Sequence, residues 1–114
     1  MIAIVDYGFG NLKSVSKALS LLSIDSKITD SKNVIEDSES IIFPGVGSFG
    51  DCIKNLEEKK ILEPIIKSIQ SGKPFLGICL GLQILFENSQ ESPDSVGLSM
   101  LEGSVDRIEF ESNK

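Results

Sequence analysis

Residues 1–6 (MIAIVD) form a short apolar run closed by Asp6, and Tyr7-Gly8-Phe9-Gly10 follows, which predicts a buried strand entering a turn. Asn11 then stands where a helix N-cap belongs. Beyond it Leu12, Val15, Leu19 and Leu22 recur at helical spacing, with Lys13, Ser16 and Lys17 on the other side. A second strand is expected over Ile24 to Ile28, and the polar stretch from Thr29 to Ser38 reads as a connection. Ser40-Ile41-Ile42-Phe43 is a third strand, stopped by Pro44 and Gly45. A helix is expected after Gly50. Another carries Ile61, Leu62, Ile65, Ile66 and Ile69 and ends at Gly72, with Pro74 just beyond. Phe75-Leu76-Gly77-Ile78 is a fourth strand, and Leu80 to Glu87 reads as a helix that starts without a loop. After Pro93 the pattern loosens, and a last strand is expected over Ser104 to Phe110.

Strands alternating with helices predict βαβ units and an α/β fold with a parallel, three-layer, flavodoxin-like sheet. Such sheets are covered on both faces, which suits strands that are apolar almost throughout. Ligands in open α/β sheets sit beyond the carboxyl ends of the strands. Three loops qualify: those after Asp6, after Phe43 and after Ile78. No internal repeat and no low-complexity segment interrupts the chain.

A length of 114 residues is that of one domain. Seventeen acidic against eleven basic side chains give a net charge of −6, with no dense Lys/Arg cluster. That balance argues against nucleic acid or anionic lipid as the main partner. No apolar run approaches the ~20 residues that span a bilayer. The first residues lack a basic segment and a long apolar one, so no signal peptide is expected and the cytoplasm is the expected location. Cys52 and Cys79 are expected to be free thiols, and no metal cluster is available. The composition has one further consequence: the chain contains no His, so chemistry that needs an imidazole cannot be completed by its own side chains.

The most specific motif is Gly77-Ile78-Cys79-Leu80-Gly81-Leu82-Gln83. A nucleophile on a sharp strand-to-helix turn needs small residues two positions before and after it, because larger ones would collide where the backbone doubles back; a Cys here takes the nucleophile position of that elbow. The turn also puts Cys79 at the positive end of the next helix, where negative charge is favoured. The competing reading is a buried packing cysteine between two glycines. A second motif, Pro44-Gly45-Val46-Gly47-Ser48-Phe49-Gly50, follows a strand and lets backbone N–H groups approach a ligand, as an oxyanion site requires; an ordinary loop is the alternative. Gly8-Phe9-Gly10 begins like a dinucleotide fingerprint, but Lys13 stands where its third Gly belongs, so no nicotinamide cofactor is expected. Glu87 and Glu91, four apart, fit a solvated helix face equally well.

Taken together, the elbow, the glycine loop and their order resemble the class I (triad-type) glutamine amidotransferases, and among them the glutaminase subunits of imidazole glycerol phosphate synthase. The stretches IVDYGFGNLKSV, FPGVGSFGDCIKNL and GICLGLQILFENSQE carry the likeness. It implies that Cys79 is the nucleophile attacking the side-chain amide carbon of glutamine. It further implies that Gly45, Val46 and Gly47, with the amide of Leu80, serve the oxyanion, and that Gln83 and Glu91 hold the substrate glutamine. The turn containing Gly10 and Asn11 is similar to one that faces a (β/α)8 cyclase subunit, the partner to which ammonia passes. The resemblance implies no cofactor and no metal.

The family's base is a His followed two residues on by a Glu, in the second half of its fold, and this chain has neither. Two expectations follow from the resemblance. Residues 1–114 are a single amidotransferase domain, incomplete on its C-terminal side, that lacks glutaminase activity alone; and with later strands missing, the chain is marginally stable or prone to associate. A non-catalytic paralogue and a small-anion-binding flavodoxin-like module are the competing readings.

Overall fold

The computed structural model describes residues 1–108. Four parallel strands, β1 (Ile2–Val5), β2 (Ser26–Thr29), β3 (Ser40–Gly45) and β4 (Phe75–Cys79), form one sheet in the order β2-β1-β3-β4. The chain runs outward from β1 to β2 and then crosses back to β3, so the order reverses between β1 and β3. That reversal is the position at which doubly wound sheets bind ligands, beyond the strands' carboxyl ends.

Right-handed crossovers put the connecting helices on opposite faces. Helix α1 (Leu12–Leu21) joins β1 to β2 on one face; α2 (Lys32–Asp37), α3 (Phe49–Glu58) and α4 (Leu62–Gln70) cover the other. Under those three helices lies the core: Val5, Tyr7, Ile41 and Phe43 meet Ile35, Phe49, Cys52, Ile53, Leu56, Ile61 and Ile65. On the α1 face, helix α1 has no buried residue, and Leu76 and Ile78 of β4 are exposed.

Helix α2 lies where the polar composition predicts a connection. Its six residues bury only Ile35, and Ser31 makes no side-chain cap. The missing support comes from far along the chain. The Lys73 ammonium donates to the carbonyls of Ile35 at 2.8 Å and Glu36 at 3.0 Å, a cation at a helix C-terminus.

Strand β2 starts later than Ile24 because α1 ends in a Schellman turn. Ser23 adopts φ 60°, Ile24 N–H donates to the Leu19 carbonyl and Ser23 N–H to that of Ser20. Strand β3 continues through Pro44 to Gly45. Its pairing with β1 ends at Ile42, so Pro44 sits where only the β4 side is still engaged.

The predicted helix from Leu80 to Glu87 is one turn, α5 (Leu80–Gln83). The carbonyls that would continue it are taken by a returning segment: Leu98 N–H donates to Ile84, Met100 to Leu85, Ser99 to Phe86 and Gly97 to Glu87. A short parallel pair, β5 (Asn88–Ser89) and β6 (Ser104–Val105), closes this region. The strand expected to reach Phe110 is therefore two residues long, and its last expected residues lie outside the described ones.

Candidate active site at the carboxyl ends of β1, β3 and β4

Strand β4 delivers Cys79 at its last position, and α5 begins at the next residue. Cys79 adopts φ 55° and ψ −113°, a conformation that costs a residue with a Cβ of order 1–3 kcal/mol. The surrounding glycines make the bend possible. A Cβ on Gly77 would strike the backbone of Gly81 and Leu82, and one on Gly81 would strike the Phe43 carbonyl. Neither position has room for any larger residue. The elbow is therefore built by sterics, and it leaves Cys79 exposed while Cys52 is fully buried; neither is in a disulfide. Burial pushes the Cys52 thiol up to about 12 and keeps it neutral. The packing-cysteine reading fits Cys52 and not Cys79. Since α5 is a single turn and Cys79 makes no side-chain cap bond to it, the expected dipole of a long helix does not act on the sulfur.

Gly45 is the residue opposite Cys79 in the β3–β4 register, so the glycine segment begins beside the elbow. Tyr7 lies beneath it. The Tyr7 hydroxyl donates to the Val46 carbonyl at 3.0 Å and fills the space a Cβ on Gly45 would need. Its ring stacks on Phe43 with centroids 5.0 Å apart. Burial, with a smaller contribution from the nearby Cys52, raises its pKa to about 12. Gly47 has φ 112° with nothing within 4 Å of where its Cβ would be, so this position demands glycine for its backbone alone. The turn after β1 closes against the same segment. A Cβ on Gly10 would lie 3.8 Å from the Gly45 Cα, and Asn11 accepts from Ser14 N–H at 3.4 Å as the N-cap of α1.

Gln83 and Glu91 come together with Ser89, Gln90, Val105, Asp106 and Arg107 around a cavity of about 440 Å³. Cys79 is not among its lining residues. Glu91 also has a structural partner: its Oε1 accepts from Phe49 N–H at 3.1 Å, while Ser92 Oγ accepts from Gly50 N–H and Ser48 Oγ from Asp51 N–H. These three side chains satisfy the first free amides of α3. Leu80 is buried at the start of α5 and Val46 is exposed. Among the described residues no group of His, Cys, Asp and Glu is placed to hold a metal ion, and no helix is long and apolar enough to cross a membrane. Tyr7 is the residue that sequence reasoning passes over, since its hydroxyl meets a carbonyl 39 positions away.

The profile of the family Glutamine amidotransferase class-I matches residues 3–108. Curated relatives carry the name imidazole glycerol phosphate synthase subunit HisH. The protein of that name from Syntrophotalea carbinolica is 44% identical over 108 residues, covering 95% of this chain and 52% of its own length. That from Caldanaerobacter subterraneus subsp. tengcongensis is 50% identical over 105 residues, covering 92% and 52%. A solved structure described as a glutamine amidotransferase superposes with a TM-score of 0.78 at 26% identity, over 94% of this chain and 57% of that one. The chain thus spans about half the length of the curated relatives it matches. With a parallel α/β sheet, a cysteine on a strained elbow, a glycine segment in register with it and a family match over nearly its whole length, this chain belongs to the class-I glutamine amidotransferases.

Proposed function

We propose that this chain carries the nucleophile side of the glutaminase of imidazole glycerol phosphate synthase, which hydrolyses glutamine to glutamate and ammonia in histidine biosynthesis. The observation that carries the reading is the placement of Cys79 on its elbow directly opposite Gly45. In the proposed reaction the Cys79 sulfur adds to the side-chain amide carbon of glutamine. Negative charge then develops on the former carbonyl oxygen, within reach of N–H groups of the Gly45–Gly47 segment and of Leu80. Collapse expels ammonia and leaves a glutamyl thioester, which water hydrolyses to glutamate. Gln83 and Glu91, on one cavity, are the proposed holders of the substrate's other end. Gly10 and Asn11, on the turn against Gly45, are proposed to face a cyclase subunit in a cytoplasmic heterodimer.

Proton transfer to the departing ammonia needs a group titrating near neutral pH, and the chain has no His. In this reading residues 1–114 belong to one amidotransferase domain, and the family's His-Glu pair is not among them. Loss of the base in a serine-protease triad costs roughly a millionfold in turnover. The isolated chain is therefore expected to release ammonia from glutamine no faster than its Cys79→Ala variant, yet to be labelled at Cys79 by a chloromethyl ketone analogue of glutamine. Gly81→Ala, which forces the elbow into the Phe43 carbonyl, abolishes that labelling. Absence of labelling in the unaltered chain contradicts the reading.

A further inference from the structure

We infer that Tyr7 is a positioning residue for the oxyanion segment: its hydroxyl holds the Val46 carbonyl inward and so turns the amide hydrogen of Gly47 outward, toward the side where Cys79 is exposed. This rests on the amidotransferase reading above and names a residue for it that neither the motifs nor the family likeness supplies.

A peptide unit is planar, and its C=O and the following N–H point in opposite directions. Fixing the Val46 oxygen on a buried hydroxyl therefore fixes the direction of the Gly47 N–H. Tyr7 is fully buried, so its hydroxyl has the Val46 carbonyl as its partner even though the Val46 residue itself is exposed. The ring cannot swing away, because it stacks on Phe43 at 5.0 Å and meets Phe9 at 6.2 Å. Its oxygen also occupies the place of a side chain at Gly45, the residue in register with Cys79. The raised pKa keeps the hydroxyl protonated, hence a donor, throughout the neutral range. The positive φ of Gly47 is the second sign that this peptide is held in an uncommon orientation.

The test compares two reagents at Cys79. A chloromethyl ketone analogue of glutamine places charge on its ketone oxygen as sulfur adds, then loses chloride as the thioether forms. Iodoacetamide is attacked at its methylene carbon with loss of iodide and makes no such demand. Tyr7→Phe removes one oxygen and keeps the ring. Removing an oxyanion donor outright costs roughly a hundredfold or more, so misorienting one is expected to lower the ketone-to-iodoacetamide rate ratio about tenfold. The iodoacetamide rate itself should stay within about twofold. A merely structural role would slow or quicken both reagents together, and an unchanged ratio overturns the inference.

Gly47→Ala provides a second route should Tyr7→Phe not fold, since it meets no neighbour and acts only through its φ. It is expected to lower the same ratio, and the double variant to be no worse than either single one. Additive losses, or no loss in Gly47→Ala, overturn the inference as well. If the unaltered chain shows no preference for the glutamine analogue at all, the amidotransferase reading itself fails and takes this inference with it.

Discussion

On one face of the sheet Val5, Ile41 and Phe43 are closed over by α2, α3 and α4; on the other, Leu76 is 54% and Ile78 39% exposed. The strands supplying the two faces are equally apolar. β4 itself gives Phe75 to the covered face and Leu76 to the open one, one residue apart, because side chains alternate across a strand. On the second face Ile4 and Ile42 are still buried, so the opening is local to β4, where the cover ends. Three helices stand over the first, and only α1, with no buried residue of its own, over the second. The site sits where the well-packed side reaches the strand ends: Phe43 touches the elbow at Gly81 and supports Tyr7, which supports Val46. Stability of the covered face is thus a precondition of the elbow, whereas the open face has no such duty.

Truncating one residue on each side separates the two faces most sharply. Phe43→Ala opens a fully buried site and is expected to cost roughly 3–5 kcal/mol, much of a small domain's stability. Leu76→Ala removes a side chain that is already half in water and should cost below about 1 kcal/mol. Urea unfolding of the two variants checks the difference; equal losses mean the Leu76 side of β4 is covered by association in solution.

On the covered face, burial ties stability to alkaline pH. Cys52 is raised from its ordinary 9.0 to about 12 by burial, and Tyr7 from 10.0 to about 12 by burial and the nearby Cys52. Above pH 9 the unfolded chain loses the Cys52 proton while the folded chain keeps it, so stability falls as pH rises, until the folded thiol ionises near 12. Each group contributes up to about 1.4 kcal/mol per pH unit in its window. Cys52→Ala should move the onset from about pH 9 to about pH 10, where Tyr7 begins to act. Denaturation curves between pH 8 and 11 measure the shift.

The smallest effects expected lie at the helix ends. Helices α1, α3 and α4 all stop in the same Schellman geometry, with Ser23 at φ 60°, Lys60 at φ 60° and Gly72 at φ 92°. Ser23→Gly on the open face and Lys60→Gly on the covered face should each stabilise the fold by about 0.5–1 kcal/mol, by relieving a left-handed residue that carries a Cβ. Thermal melts of both variants decide it.

Those three helix ends also show what was legible in the sequence. Gly72, with Pro74 behind it, marks the stop of α4 in the sequence as in the structure. Ser23 carries no such signal, so the pattern places Ile24 in the following strand although its amide closes α1. Strands β1, β3 and β4 were readable because each is an apolar run ended by a turn residue. Helix α2 was not, because a six-residue helix with one buried side chain owes its stability to Lys73, 38 positions from Ile35. The same holds for the site. The elbow was visible because its steric demands fall on neighbours in the chain, Gly77 and Gly81. The Tyr7–Val46 bond, the Glu91 cap on α3 and the cavity joining Gln83 to Arg107 depend on distant pairings that no local pattern encodes.

A steric bend projects one thiol to solvent while the other is sealed in the core, and alkylation measures that difference directly. The folded chain is treated with excess iodoacetamide, and the modified positions are mapped by mass spectrometry before and after addition of denaturant. The structure predicts one equivalent in the folded chain, all of it on Cys79, and a second on Cys52 only after unfolding. Equal modification of both cysteines without denaturant, or a Cys79 that reacts only when the chain is unfolded, contradicts it.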